Sequence, residues 1–228
     1  MSNSITVYIE EDQLAAQKAN NYSLYLAKKV NESFTVIWQS MGALATVGQP
    51  SYQYQNVFDI ETPSYMVNFT NNPCKGGTVT FTSVGDNLAI DTGQETTLQA
   101  TGIFTQAVNG GGVGDILIDN KLQGNPKEIL LDANGNNIWV NTESGMNIGT
   151  ATVTPLYSYQ LWFGNLQDTG SLIAQNVSNP EVITLDDGGD ATVTYNNQGA
   201  WVNGVPATML AGPLLEAMER RVNAALLA

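Results

Sequence analysis

The chain contains no histidine. That excludes the Ser-His-Asp and Cys-His nucleophile systems, HExxH zinc sites and any imidazole pH switch. Cysteine is almost as scarce. Cys74 stands alone, which excludes an intrachain disulfide and a cysteine-held structural metal. Its setting, Asn71-Asn72-Pro73-Cys74-Lys75-Gly76-Gly77, reads as a turn, and with no histidine as base the thiol is expected to be an incidental loop residue. Charge is sparse as well, at 13% of residues where about 25% is usual. What charge exists is one-sided: eight Lys plus Arg against 21 Asp plus Glu, a net charge of −13. Such a chain repels phosphate backbones, so no nucleic-acid partner is expected. From Glu128 to Glu219 there are ten acids and no basic residue, which favours cationic or neutral partners.

Long apolar runs are missing too; none approaches the 18 or more residues that span a bilayer. The opening Met1-Ser2-Asn3-Ser4 has no basic segment leading into an apolar one. The chain is therefore expected to be made in the cytoplasm without a Sec signal peptide, and to leave by lysis or a non-classical route.

Among the 228 residues, 43% are hydrophobic, and 24 Asn and 22 Gly point to turns and polar strands rather than helices. Residues 5–9 (ITVYI) read as a strand, 10–20 (EEDQLAAQKAN) as a short helix, and 22–30 and 33–39 as strands joined by a tight loop at Asn31-Glu32. Short candidate strands then follow between Gly, Pro and Asn breakers to residue 203, including one at 78–83. The run 109–114 (NGGGVG) is the strongest breaker and the best candidate for a domain seam or mobile loop between a β region at 1–108 and another at 115–205, with one continuous domain as the alternative. In 213–228 (PLLEAMERRVNAALLA), Leu214, Met218, Val222 and Leu226 recur at i+4, so an amphipathic helix is expected there, sealing the sheet or docking on a neighbour. The fold class is thus mainly β: an antiparallel β-sandwich-like fold of many short strands with a C-terminal amphipathic α-helix.

Two groups of residues carry candidate chemistry. The tract from Asp132 places oxygen ligands at Asp132, Asn134, Asn136 and Glu143 with the spacing of a calcium loop. Its flanks, Ile129-Leu130-Leu131 and Ile138-Trp139-Val140, read as strands where such a loop needs helices. A hairpin turned at Asn134-Gly135 is therefore expected, with no cofactor, and calcium is the minor alternative. The aromatics form the other group. Tyr52 and Tyr54, two apart around Gln53, are expected to share a face, and in 157–163 (YSYQLWF) Tyr157, Tyr159 and Leu161 share one strand face while Trp162 lies on the other. Exposed, these rings suit a membrane interface or a stacked sugar; buried, they are core.

No residue pattern marks catalysis, so the chain is expected not to be an enzyme. In class it resembles small disulfide-free β-sandwich lectins and cytolysins. The leading expectation is a toxin-like protein that binds a membrane or cell-surface glycan and forms homo-oligomers, in the extreme a pore. The Thr-Val-Thr alternations at 78–82, 152–154 and 192–194 fit a barrel wall with one wet face, and fit any exposed antiparallel sheet just as well. A carbohydrate-binding lectin and a self-assembling structural subunit are the alternatives.

Overall fold

The computed structural model describes residues 3–60, 64–71, 83–165, 167–173, 177–186, 189–207 and 209. Among these residues the chain forms sixteen strands and one helix, gathered into four four-stranded sheets. The first sheet joins β1 (Asn3–Ile9), β4 (Gln55–Ile60), β15 (Ala191–Tyr195) and β16 (Trp201–Asn203). The second holds β2 (Ser23–Val30), β3 (Gln39–Met41), β13 (Pro155–Gly164) and β14 (Glu181–Thr184). In the third are β5 (Ser64–Thr70), β6 (Leu88–Asp91), β10 (Lys127–Asp132) and β11 (Asn137–Val140). The fourth contains β7 (Gln94–Leu98), β8 (Val108–Asn109), β9 (Ile116–Asn120) and β12 (Gly149–Val153).

Each sheet takes two strands from before residue 110 and two from after it. The two β regions are interleaved, and the expected seam at 109–114 is a short link from β8 to β9 inside one sheet. Gly111 is needed there because a Cβ would fall 2.6 Å from the Gln94 carbonyl oxygen. The pairing is mainly antiparallel, as the short, regularly broken strands predict. Ten of the twelve strand pairings are antiparallel, but β1 runs parallel to β15 and β7 parallel to β9. Parallel neighbours need long crossovers, so local pattern does not reveal them.

The β1 strand shows why these segments become strands. Ile5, Val7 and Ile9 alternate with half-buried Thr6 and buried Tyr8 and enter one large core with Leu24, Leu26, Phe58, Ile118, Tyr159 and Val193. Each such side chain contributes roughly 1.5–3 kcal/mol on burial. Helix α1 (Glu11–Ala19) carries Glu11 and Asp12 in its first turn and Lys18 in its last, matching the helix dipole. The turn joining β15 to β16 docks on it: the Asp12 N–H donates to Asn197 Oδ1 at 3.1 Å, and Gln13 Nε2 to the Asn197 carbonyl at 3.2 Å.

Of the expected strand at 33–39, only Gln39–Met41 pairs regularly with β2. Residues 35–37 turn their backbone groups to the 170–173 segment instead, with Ile37 N–H on the Ser171 carbonyl at 3.0 Å and Ile173 N–H on that of Thr35 at 2.9 Å. The expected helix at 213–228, Cys74 and all but Ser83 of the candidate strand at 78–83 lie outside the described residues.

Candidate functional site

The paired strands β2 and β13 set Trp162 opposite Tyr25, Phe163 opposite Leu24 and Gly164 opposite Ser23. At this end of the ladder, one face of the pair opens into a cleft of about 410 Å3. Tyr25, Trp162, Ile173 and Val177 form an apolar wall, continuous with a small core cluster that also holds Ala27 and Ile37. Tyr22, Phe163 and Tyr195 contribute further rings, of which Tyr22 and Phe163 are half-buried. The polar lining is amide and hydroxyl: Gln17, Asn165, Gln167, Ser178 and Asn179. None of the described lining residues is charged.

The wall is pinned by specific bonds. The Tyr25 hydroxyl donates to the Asn165 carbonyl and accepts the Gln167 N–H, both at 2.6 Å, so one buried phenol fixes the rim segment. Burial pushes the Tyr25 hydroxyl above its ordinary pKa and keeps it a neutral donor. On the other rim, Trp201 Nε1 donates to the Asn179 carbonyl at 2.9 Å, and its ring stacks on Phe163 at 6.0 Å and 13°. Asn179 itself adopts φ 48°, a left-handed conformation that asparagine tolerates. Gly164 leaves the floor open: a Cβ there would sit 3.4 Å from both the Trp162 indole and the Tyr25 ring.

Gln17 is the unusual member. It is buried on α1, and its Oε1 is the one buried side-chain polar atom among the described residues without a hydrogen-bond partner. A buried acceptor without a partner costs about 1–3 kcal/mol relative to a bonded one.

The opposite face of the same ladder is closed. Lys28, opposite Tyr159, is only 4% exposed and donates from Nζ to the Tyr159 hydroxyl at 2.9 Å. Its ammonium lies 4.8 Å from the Tyr159 ring centre, 5.4 Å from that of Tyr157 and 5.9 Å from that of Tyr65. No carboxylate pairs with it among the described residues. Aromatic faces and one phenol therefore stand in for water around the cation. Burial lowers its pKa to about 8 and pushes the Tyr65 and Tyr159 hydroxyls upward.

The aromatic candidates thus part company. Tyr159 and Trp162 do lie on opposite faces of β13, in different core clusters. Tyr159 is fully buried, its hydroxyl taken by Lys28, so it offers no contact surface. Tyr157 is half-buried in the same cage. Trp162, 4% exposed, lines the cleft. Tyr52 and Tyr54 lie outside the strands and do not share a face: Tyr52 is fully buried with its hydroxyl on the Tyr22 carbonyl, whereas Tyr54 is half-buried against Tyr8. Gln17, Tyr22, Tyr25 and the amides at 165–179 had no local signal, because only strand register and helix docking bring them together.

The calcium candidates form a turn. β10 and β11 are an antiparallel hairpin closed at Asn134-Gly135, with Gly135 at φ 83°. Asp132 Oδ1 accepts the Asn134 and Asn136 N–H groups, while Oδ2 accepts Asn136 Nδ2 and Trp38 Nε1 at 2.9 Å each. Those oxygens are occupied. Glu143 lies at the other end of the hairpin, its carbonyl accepting Lys127 Nζ. No group of three metal-ligating side chains occurs among the described residues.

A separate surface feature lies at residues 42–51. Backbone bonds between Thr46 and Gln49, with Gly48 at the bend, make a narrow hairpin tip. Leu44 is 74% exposed and Val47 fully exposed on it. The surrounding stretch from residue 33 to 58 contains no charged residue. Compared with known proteins, the chain matches no family model, no curated protein and no solved structure.

Proposed function

We propose that the protein binds a neutral carbohydrate in the β2–β13 cleft, acting as a lectin rather than as an enzyme. One observation carries this reading: in a chain of net charge −13, the described lining of the cleft has no charge and combines aromatic rings with four amide side chains. Rings offer apolar faces to sugar C–H groups, and amides bond hydroxyls in both directions. A charged ligand would find no counter-ion there. The test is binding to an immobilised glycan panel at low and high salt. Binding to neutral glycans that survives high salt is expected. Capture of charged probes alone, or of nothing, contradicts the reading.

A second reading rests on the 42–51 hairpin. Two exposed aliphatic side chains on an uncharged tip suit insertion into a neutral lipid surface, the first step of the membrane-binding, oligomerising and pore-forming behaviour expected of a toxin-like chain. Dye release from phosphatidylcholine liposomes, with sedimentation of the same samples, tests it. Release by the native chain that Val47→Asp abolishes supports the reading; no release and no pelleting removes it.

A further inference from the structure

Gln17 lines the cleft from helix α1, and its amide has only one direction in which it can point. The Asn197 carbonyl can only accept, so Gln13 turns Nε2 toward it at 3.2 Å. That leaves Gln13 Oε1 to accept, and Gln17 Nε2 donates to it at 3.1 Å. The relay ends with Gln17 Oε1, an acceptor shut off from solvent and without a partner. A flip of Gln17 would bring its oxygen against Gln13 Oε1, two acceptors with no proton between them. Reversing Gln13 as well would set its oxygen against the Asn197 carbonyl. The helix is itself tied to the 196–200 turn by the Asn197 N–H on Glu10 Oε2 at 2.8 Å, so the relay cannot relax by drifting away.

We propose that Gln17 is the specificity-determining residue of the cleft: it selects ligands that present a hydroxyl or amide N–H donor at this point, and the Asn197–Gln13 relay holds it as an acceptor. This rests on the reading of the cleft as a neutral carbohydrate site. The other lining amides, Asn165, Gln167 and Asn179, are half-buried or exposed and reach water, so losing a ligand bond to them costs little. Gln17 is more than nine-tenths buried. That acceptor is already unpaired in the free protein, so a ligand that brings the donor gains a hydrogen bond that water does not supply there, and one that lacks it forgoes that gain.

The experiment uses the full chain and the methyl glycosides of glucose, galactose, mannose and N-acetylglucosamine, with the mono-deoxy and mono-O-methyl derivatives of whichever binds best. Affinities are read by calorimetry for the native protein, Gln17→Leu, the near-isosteric Gln17→Met and Gln13→Leu, each first checked for native melting behaviour. One position of the sugar is expected to lose about 10- to 100-fold on deoxygenation or methylation with the native protein, and to lose nothing with Gln17→Leu or Gln17→Met. Gln13→Leu, which frees the Gln17 amide to rotate, is expected to flatten the same step while still binding. An identical ranking of derivatives by native and Gln17 variants overturns the inference and leaves the carbohydrate reading standing. Failure of every glycoside to bind the native protein overturns both.

Discussion

Two polar side chains are buried on opposite sides of one pair of strands, and they differ in how they are satisfied. Lys28 projects from β2 into the main core, where a phenol and three ring faces surround its ammonium. Gln17 reaches the other face from α1, among equally aromatic neighbours, and its oxygen has no partner. The cage is complete and closed, the cleft incomplete and open. An aromatic environment alone therefore does not separate the two faces; the hydrogen bonding of the buried polar group does.

The largest effect is expected where the complete cage is broken. Tyr159→Ala removes a fully buried ring and strips Lys28 of its hydroxyl acceptor, so a loss of about 3–5 kcal/mol is expected in denaturant unfolding. A loss under about 1 kcal/mol would mean that the cage relaxes easily, against the account.

Removing the cation should do the opposite. Lys28→Met keeps the length of the side chain without the charge, and a gain on the order of 1–3 kcal/mol near neutral pH is expected. The pH dependence carries the same sign. Folded Lys28 titrates at about 8 and an unfolded lysine near 10.4, so between these values the unfolded chain binds more protons. Stability of the native protein should therefore rise from about pH 8 toward pH 10, by on the order of 1–2 kcal/mol, and Lys28→Met should lack that rise. Above the ordinary tyrosine pKa of about 10 the sign reverses, because Tyr65 and Tyr159 are raised and hold their protons in the folded state. Unfolding curves at several pH values, native against variant, check both limbs.

On the cleft side, Gln17→Leu should hold or raise stability by up to about 1 kcal/mol, since it deletes an unpaired buried acceptor at the cost of one amide bond to Gln13. A clear drop in melting temperature would show that the oxygen is satisfied in solution. Gly164→Ala is the mildest change. Its added Cβ meets Trp162 and Tyr25 at ordinary contact distance, so stability should stay within about 0.5 kcal/mol. The methyl group fills the floor, however, and affinity for a bound glycan should fall about tenfold, close to 1.4 kcal/mol.

Much of the fold was legible in the chain. Period-two alternation placed Tyr159 and Trp162 on opposite faces, Asn134-Gly135 marked a hairpin, and residues 10–20 announced a short helix. The site was much less so. Lys28 and Lys29 are adjacent, and nothing local says which of them enters the core. Trp162 was legible as a candidate, but its partners Tyr25, Gln17 and Asn179 depend on the register of β2 on β13 and on a helix docked by a turn some 185 residues away in sequence. The parallel neighbours β1 and β15 raise the same difficulty, since their pairing joins the two ends of the described chain. Long-range register, unlike periodicity, leaves no trace in a short window.

The most direct test of the difference between the two faces is a two-dimensional NMR titration of the native chain with the best-binding methyl glycoside. The account predicts shifts at the backbone amides of Gly164, Asn165 and Gln167 and at the Gln17 side-chain amide, with the backbone amides of Lys28 and Tyr65 unmoved. Shifts confined to the 42–51 hairpin or centred on the Lys28 cage, or none in the cleft at saturating sugar, would contradict it.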